Sequence, residues 1–312
     1  MNLILENIFS AIQVQSIGTN EGTKIDAIST DSRSLQNNAS TLFFALEGPH
    51  HDGHQYIAEL IKKGVRNFVV THIPSTCQGK AHFLLVTNTL VALQQLAAYY
   101  RHQFHFPIIG ITGSNGKTIV KEWLNYLLAP DFTIIRSPKS YNSQVGVPLS
   151  VMAINENHNL GIFEAGISTV GEMSNLEAII KPTIGIITNI GSAHDEGFAN
   201  TTEKIKEKAT LFKSAEVLIY QKDPRIDAVV PPQCKTFTWS YQDPTATILL
   251  TKKTANGSTL LNFEYLNHPY SISIPFSDEA SIENALSCLL VLLYYNYDEK
   301  TIRERMERLY PI

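Results

Sequence analysis

The residue types with the clearest chemical potential lie in a glycine-rich turn at residues 108–118, IIGITGSNGKT, where an apolar run meets a helical pattern that begins at Lys117. Glycines allow backbone N–H groups to point inward around phosphate oxygens, and the start of a helix adds positive potential. A lysine supplies a point charge at such a turn, and a threonine hydroxyl can ligate Mg2+. The turn therefore predicts triphosphate binding by Gly113, Ser114, Asn115, Gly116, Lys117 and Thr118.

The spacing of this turn fits only a short form of the phosphate-loop pattern. The general form requires glycine at position 111, where the chain has Ile111, whereas TGxxGKT is complete. The alternative interpretation is a glycine turn that caps a helix and leaves Lys117 in solvent. Phosphate binding is favoured because an apolar strand precedes the turn and a helix with one apolar face, residues 119–128, follows it.

The elements around the turn predict an α/β fold with two domains. From residue 107 onward strand-like and helical runs alternate, which indicates a mostly parallel sheet with helices on both faces. Residues 235–275 favour an antiparallel extension, with Asn256-Gly257 as a turn. Residues 1–105 form a smaller α/β pattern, and Phe106-Pro107 ends its last helix. The predicted domains are therefore 1–105 and 106–312.

Composition narrows the class of protein. The 312 residues carry a net charge of −4, which offers no polycation for nucleic acid or an anionic membrane. The three cysteines are scattered without a CxxC pair, so neither a disulfide framework nor a zinc site is expected. The first residues lack the basic start of a secretory signal, and the longest apolar run, 285–295, is shorter than the roughly 20 residues of a membrane span. A soluble cytoplasmic protein is expected.

Several segments together resemble the Mur ligases, the ATP-dependent amide-forming enzymes of peptidoglycan synthesis. TGSNGKT resembles their ATP-binding loop, and three later segments agree with the family in order and spacing: 139–149 (KSYNSQVGVPL), 164–172 (EAGISTVGE) and 188–198 (TNIGSAHDEGF). Within the family, the GVP form and a DGH segment at 52–54 are closest to the ligases that add D-alanyl-D-alanine.

The resemblance assigns further residues to an ATP and Mg2+ site. Glu164 ends an apolar run, where parallel sheets place their ligands, and its carboxylate can hold Mg2+; a merely solvated or capping carboxylate is the alternative. His194 is implied to be a metal ligand. Lys208 matches the lysine that the family carries as a carbamate, an anionic ligand for a second Mg2+, although KATLF replaces the usual KxEIF and Lys208 also fits a solvated basic face. Asn284, in a helix where Ala280-Ser281 replaces a His-Asn pair, is implied to serve the adenine side.

The first domain resembles the UDP-binding domain of the same family. The matching segments are TDSR at 30–33 and LFFALEGPHHDGHQYI at 42–57. The planar guanidinium of Arg33 matches phosphate oxygens, although DSR also fits a simple cap. A metal site on His50, His51 and His54 is not expected, since the family uses this loop for its UDP substrate. The expected UDP-substrate residues are Ser32, Arg33, Asp52, Gly53, His54, Tyr141 and Asn142.

The resemblance implies a reaction and its partners. ATP phosphorylates the terminal carboxylate of UDP-N-acetylmuramoyl-tripeptide, and the amine of D-alanyl-D-alanine attacks the acyl phosphate. Lys117, Lys208, His194 and Glu164 would be the catalytic residues, with ATP and two Mg2+ ions. Three alternatives stay open: a ligase that adds the third amino acid, a relative of folylpolyglutamate synthetase, which lacks the DSR and DGH domain, and a nonenzymatic UDP-sugar-binding module.

The family has a third, closing domain that this sequence does not show. The chain stops at Tyr310-Pro311-Ile312, about where that domain should begin. A truncated chain with negligible ligase turnover is therefore expected. A fusion to an alanine racemase further downstream, known in the family, is possible under this interpretation.

Overall fold

The computed structural model describes residues 3–17, 23–33, 35, 38–191 and 197–312. The chain divides into two compact units, residues 1–105 with 144–156 and residues 106–143 with 157–312. The segment 144–156 thus packs with the first unit, whereas the sequence pattern places it in the second domain. Within the first unit, Gln94 donates to Gln144 and the hydroxyl of Tyr100 donates to the carbonyl of Ile154, contacts between residues about 50 positions apart.

The strands of the first unit are β1 Leu3–Ile4, β2 Ser16–Ile17, β3 Lys24–Ile25, β4 Ala27–Ser29, β5 Thr41–Phe44, β6 Glu47–Gly48, β7 His51–Asp52, β8 Asn67–Val70 and β9 His82–Leu85; its helices are α1 Leu5–Ala11, α2 Ile57–Lys62, α3 Thr89–Arg101 and, from the returning segment, α5 Gly146–Val151. Five of the strands form a sheet in the order β2-β9-β8-β5-β4, parallel except for the β2–β9 pair. An apolar core cluster includes residues of β5, β8 and β9 and of α2.

The strands of the second unit are β10 Ile108–Thr112, β11 Ile134–Arg136, β12 Leu160–Glu164, β13 Ile184–Ile187, β14 Val217–Gln221, β15 Lys235–Ser240, β16 Ile248–Ala255, β17 Ser258–Tyr265 and β18 His268–Ile274. They form a nine-stranded sheet in the order β11-β12-β10-β13-β14-β15-β16-β17-β18. Its helices are α4 Lys117–Leu128, α6 Glu172–Ile180, α7 Thr201–Ala209, α8 Pro224–Asp227, α9 Glu279–Tyr294 and α10 Glu299–Met306.

This sheet confirms the predicted architecture. All strand pairs from β11 to β16 are parallel, and β16, β17 and β18 form the antiparallel extension, with its first turn at Asn256-Gly257. The central parallel strands β10, β12 and β13 are buried on both faces, which explains their continuous apolar sequences. Within the described ranges, no helix is both long and apolar enough to cross a membrane.

The register of the central strands positions the chemistry. Ile111 of β10 pairs with Glu164 of β12, and Thr112 pairs with Ile187 of β13. Because the three strands are parallel and end together, the segments that follow them meet at one edge of the sheet. These segments are the glycine-rich turn, the loop after Glu164 and the loop that begins at Thr188.

Candidate functional site

The glycine-rich turn between β10 and α4 has a backbone that only glycine fits. Gly113 and Gly116 have φ angles of 147° and 81°. A Cβ atom on Gly113 would lie 2.0 Å from Thr188 Oγ1, and one on Gly116 would lie 2.1 Å from Asn284 Oδ1. The turn is therefore held between the loop after β13 and the start of α9, with no room for a side chain at either glycine.

The loop after β13 braces this turn through hydrogen bonds. The N–H groups of Ser114 and Asn115 donate to the backbone oxygen and to Oδ1 of Asn189, each at 2.9 Å. The Ser114 hydroxyl donates to the carbonyl of Gly191 at 3.1 Å. These two N–H groups already have protein acceptors, so the start of α4 and the nearby lysines offer the turn's remaining attraction for an anion.

A half-buried lysine, Lys117, and a buried one, Lys208, converge on one carbonyl of the turn. The Nζ atoms of Lys117 and Lys208 donate to the backbone oxygen of Gly113 at 2.9 and 3.2 Å. Lys208, on α7, is only 2% exposed. Burial lowers its pKa to about 7, and the neighbouring charges of Lys117 and Lys204 act in the same direction. Burial also lowers the pKa of Lys117, partly opposed by Glu164. The site is thus electropositive, with Lys208 neutral in a large fraction of molecules near pH 7.

Glu164 lies at the same edge, at the end of β12, and is completely buried. Its Oε2 accepts from the Thr118 hydroxyl at 3.1 Å and from the Asn142 side-chain amide at 3.3 Å. Its Oε1 lies 2.9 Å from Lys121 Nζ, yet it accepts no well-directed hydrogen bond from the described residues. A carboxylate beside a threonine hydroxyl is the kind of oxygen donor set that Mg2+ prefers, so the residues fit this ion.

The remaining residues predicted for the second unit differ in their surroundings. Asn284 is buried with its carboxamide against Gly116. Tyr141 is exposed, and the side-chain amide of Asn142 donates to Glu164. The predicted role of both residues toward a UDP substrate stays a prediction. His194 falls in residues 192–196 and lies outside the described residues.

A cavity of about 440 Å³ is bordered by Asn189, which accepts a hydrogen bond from the turn, and by Glu283, the residue before Asn284. Residues of β13, β14, α8 and α9 and of the adjoining loops line it, and burial raises the pKa of Glu283, which reaches it from α9. The sequence interpretation had placed an adenine contact at Asn284 without locating a cavity. Its lining includes Thr188, Asn189, Gly191, Gln221, Asp223, Arg225 and Glu283.

In the first unit, the DSR segment borders a second cavity of about 370 Å³. Arg33 is largely exposed and pairs with Asp31 through two hydrogen bonds of 2.9 Å. This guanidinium holds the pKa of Asp31 at about 2. Thr30, Ser32, His51 and Tyr56 complete the lining, with the rings of the last two stacked. The cavity therefore presents an ion pair, hydroxyls and aromatic faces.

The DGH segment is integrated into the first unit's framework. The Asp52 carboxylate accepts from the His54 N–H at 2.9 Å. Gly53 lies so close to the backbone of Ala45 that a Cβ atom would come within 2.8 Å of its Cα. The buried His54 ring has Nδ1 at 2.7 Å from Asp52, and its Nε2 accepts from the Thr71 N–H at 3.1 Å. Among these neighbouring residues, His51 and Tyr56 line the cavity, whereas Gly53 and His54 do not.

The fold also gathers a group that the sequence interpretation did not anticipate, Glu47, His54 and His72. The rings of His54 and His72 stack with centroids 4.1 Å apart and planes 16° from parallel. Lone pairs of imidazole lie in the ring plane, so two stacked rings do not converge on one ion. Since both nitrogens of His54 already face protein partners, the arrangement fits a hydrogen-bonded network.

Three further residues of the second unit were missed. Lys121 and Asn189 contact Glu164 and the turn, and Glu207 accepts the N–H groups of Gly171 and Met173 at 2.8 and 3.0 Å, which caps α6. Lys121 and Glu207 are on helices, where their sequence context is that of ordinary polar residues, whereas Asn189 lies in the segment 188–198 that resembles the family. Only the fold brings Lys121 to Glu164.

The parallel sheet, the glycine turn at the start of α4 and the adjacent lysines and carboxylate define a nucleotide-binding α/β protein of the phosphate-loop class. Comparison with known families narrows this class. The Mur ligase middle domain matches residues 111–292, and the Mur ligase family catalytic domain matches residues 24–101. The chain belongs to the Mur ligase family.

Individual relatives agree with this assignment. The UDP-N-acetylmuramoyl-tripeptide–D-alanyl-D-alanine ligase of Bacillus subtilis is 32% identical over 229 residues, 72% of this chain and 50% of the relative, so the chain spans about half its length. Crystal structure I of MurF from Acinetobacter baumannii matches with a TM-score of 0.88 at 22% identity, over 100% of this chain and 69% of that one. The MurF ligase of Thermotoga maritima in complex with ADP matches with a TM-score of 0.81 at 22% identity, over 92% and 66%. The structural likenesses establish the fold.

Proposed function

We propose that the protein is an ATP-dependent amide ligase of the cytoplasm that adds D-alanyl-D-alanine to UDP-N-acetylmuramoyl-tripeptide. The observation that carries the proposal is the convergence of Lys117 and Lys208 on the Gly113 carbonyl, beside the Thr118–Glu164 pair. Cations and hard oxygen donors at the edge of a parallel sheet suit phosphoryl transfer between two anions. The activity itself is that of the Bacillus subtilis relative.

In the proposed reaction, separate residues of the second unit bind the triphosphate, the nucleoside and Mg2+. The start of α4 and Lys117 hold the triphosphate, and Asn284 with the neighbouring cavity holds the nucleoside. Thr118 and Glu164 hold Mg2+, with His194 as a further proposed ligand. When bound, Mg2+ neutralises phosphate charge and so favours transfer of the γ-phosphoryl group to the tripeptide carboxylate. The amine of D-alanyl-D-alanine then displaces phosphate and forms the amide bond.

Lys208 has a separate proposed role as a carbamate. Its lowered pKa supplies a neutral amine near pH 7, whose nitrogen lone pair can attack the carbon of CO2. A nitrogen–carbon bond forms, the nitrogen loses a proton to solvent, and the product is an anionic oxygen ligand. The buried side chain of Lys208, which has the charges of Lys117 and Lys204 near it, would thereby become a ligand for a second Mg2+.

The first unit is proposed to hold the UDP group. Arg33 and Ser32 lie at the mouth of a cavity with His51 and Tyr56, so a diphosphate can pair with the guanidinium while the rings contact the nucleoside. On substrate binding, the Arg33 guanidinium would leave the Asp31 carboxylate and pair with phosphate oxygens, so it would have an anionic partner in both states. Asp52, Gly53 and His54 would shape this cavity from behind.

Thermal unfolding of the chain with separate ligands tests the proposal. UDP-N-acetylmuramoyl-tripeptide and ATP with Mg2+ should each raise the melting temperature, because a ligand that binds only the folded state stabilises it. Lys117→Ala should weaken ATP binding about tenfold to a hundredfold, the range of a lost charged hydrogen bond. Lys206→Ala, at an exposed lysine of α7, is the matched control.

The alternative functions give different outcomes in the same experiment. Stabilisation by the UDP-linked dipeptide and not by the tripeptide would favour the ligase for the third amino acid. Stabilisation by a folate would favour the folate relative. A response to UDP-sugars without any response to ATP and Mg2+ would favour a nonenzymatic binding module and overturn the proposal.

A further inference from the structure

A fully buried lysine, Lys121, lies behind the carboxylate of Glu164. It is on α4, one turn after Lys117, and is 0% exposed. Its Nζ lies 2.9 Å from Glu164 Oε1 and 3.1 Å from Glu122 Oε1, and it donates to the backbone carbonyl of Lys139. Lysine is almost never fully buried unless it is paired, so this position is specified by its acidic neighbours.

The two oxygens of Glu164 have different partners. Lys121 lies against Oε1, whereas Thr118 and Asn142 donate to Oε2. Thr118 is also the residue whose hydroxyl fits Mg2+ at the start of α4. The carboxylate is therefore oriented with one oxygen toward a fixed cation and the other toward the nucleotide side.

Lys121 is itself held from its outer side. Glu122 Oε2 pairs with Arg136 Nε at 3.0 Å, and its Oε1 faces Lys121. Arg136 ends β11, the edge strand beside β12. A chain of alternating charges thus runs from Arg136 through Glu122 and Lys121 to Glu164, which fixes the lysine in place from two elements.

We propose that Lys121 is a positioning residue for magnesium, which holds the Glu164 carboxylate turned so that only Oε2 is presented beside Thr118. The inference rests on the proposed function of the site. Without the lysine, Oε1 of this fully buried carboxylate would lose the cation that lies 2.9 Å away, which is unfavourable. Partners behind a metal ligand also set its orientation, and their loss weakens metal binding.

The test is a calorimetric titration with Mg2+ of the chain saturated with a nonhydrolysable ATP analogue. Lys121→Met should lower the apparent Mg2+ affinity about 10- to 100-fold, the usual effect of losing such a partner. Binding of the analogue in EDTA should be unchanged, because Lys121 does not face the turn. Lys121→Arg should retain part of the affinity, and Lys206→Met should match the wild type.

A double-mutant cycle separates positioning from a general structural effect. In Glu164→Gln, adding Lys121→Met should cause no further loss of Mg2+ affinity, since Lys121 acts through that carboxylate. Each single variant should lower the melting temperature, and the double variant should recover part of the loss because no buried charge is left alone. This second readout needs neither nucleotide nor metal.

The outcomes distinguish the two proposals. Suppose that the wild-type protein binds Mg2+ with the analogue. If Lys121→Met then binds Mg2+ equally well, or if it lowers Mg2+ affinity by the same factor in the wild type and in Glu164→Gln, the role of Lys121 is overturned while the proposed function stands. If the wild type binds no Mg2+ with the analogue, the proposed function fails, and the role of Lys121 fails with it.

Discussion

Lys117 and Lys208 share one acceptor, the backbone oxygen of Gly113, although 91 residues separate them in the chain. Lys117 comes from the start of α4 and is half-buried, and Lys208 comes from the last turn of α7 and is buried. Two ammonium groups so close together disfavour each other's charge, and burial adds to this effect. The arrangement therefore favours an incoming anion or the neutralisation of one lysine.

The lowered pKa of Lys208 predicts a specific pH dependence of stability. The folded-state pKa is about 7 against an ordinary value of 10.5, so between these values the unfolded state binds more protons and stability rises with pH. Lys208→Met removes this contribution. Its melting temperature minus that of the wild type should be largest at about pH 6 and should shrink toward about pH 9.

The control for this experiment is Lys206→Met, at an exposed lysine two residues away. Its difference from the wild type should stay nearly constant over the same pH range. If the Lys208→Met difference were equally flat, or grew with pH, the lysine would not be held partly neutral by its surroundings.

Carbamylation of Lys208 is open to direct observation. With 13C-labelled bicarbonate at about pH 8, the neutral amine should add CO2 and give a carbonyl carbon resonance of a carbamate. The resonance should be absent from Lys208→Ala and present in Lys206→Ala. A spectrum that is identical for the wild type and Lys208→Ala would contradict this role.

Gly116→Ala should damage the turn through both sterics and backbone strain. Its Cβ would lie 2.1 Å from Asn284 Oδ1 at a φ of 81°, so a loss of about 1–3 kcal/mol in the free energy of unfolding is expected. Gly171→Ala is the matched control, since Gly171 has a φ of 91° with open space around its Cβ. Urea denaturation measures both variants, and equal losses would show that Asn284 does not confine the turn.

His54→Leu should destabilise the first unit, because the His54 ring connects the Asp52 carboxylate to the N–H of Thr71. The change leaves the Asp52 carboxylate and the Thr71 N–H without the ring nitrogens, at an expected cost of about 1–3 kcal/mol. His50→Leu, at an exposed histidine, should change the free energy of unfolding little. A neutral His54→Leu would contradict the framework role of this ring.

The sequence predicted the sheet and its helices because their signals are local. The continuous apolar runs of β10 and β12 reflect strands that are buried on both faces, and the one-sided apolar pattern of α4 reflects a helix that is buried on one face. The glycine turn is likewise visible, since the two glycines sit at the positions whose conformation demands them. Parallel pairing then brings Glu164 to the turn without further information.

The missing parts depend on contacts between distant residues. The return of residues 144–156 to the first unit rests on pairs such as Tyr100 with Ile154, which no periodicity reveals. Lys121 reads as one more polar residue of a helix until β12 places Glu164 beside it. The DGH segment stays predicted to bind the UDP substrate, and the close approach of Gly53 to Ala45 and the hydrogen bond of His54 with Thr71 are additional contacts that its sequence does not reveal.

The most direct test is a crystal structure of the chain with a nonhydrolysable ATP analogue and Mg2+. The account predicts phosphates against the start of α4 and Lys117, with the ion ligated by Thr118 and by Glu164 Oε2. A turn left empty while the nucleotide binds elsewhere, or an ion bound away from Glu164, would contradict it.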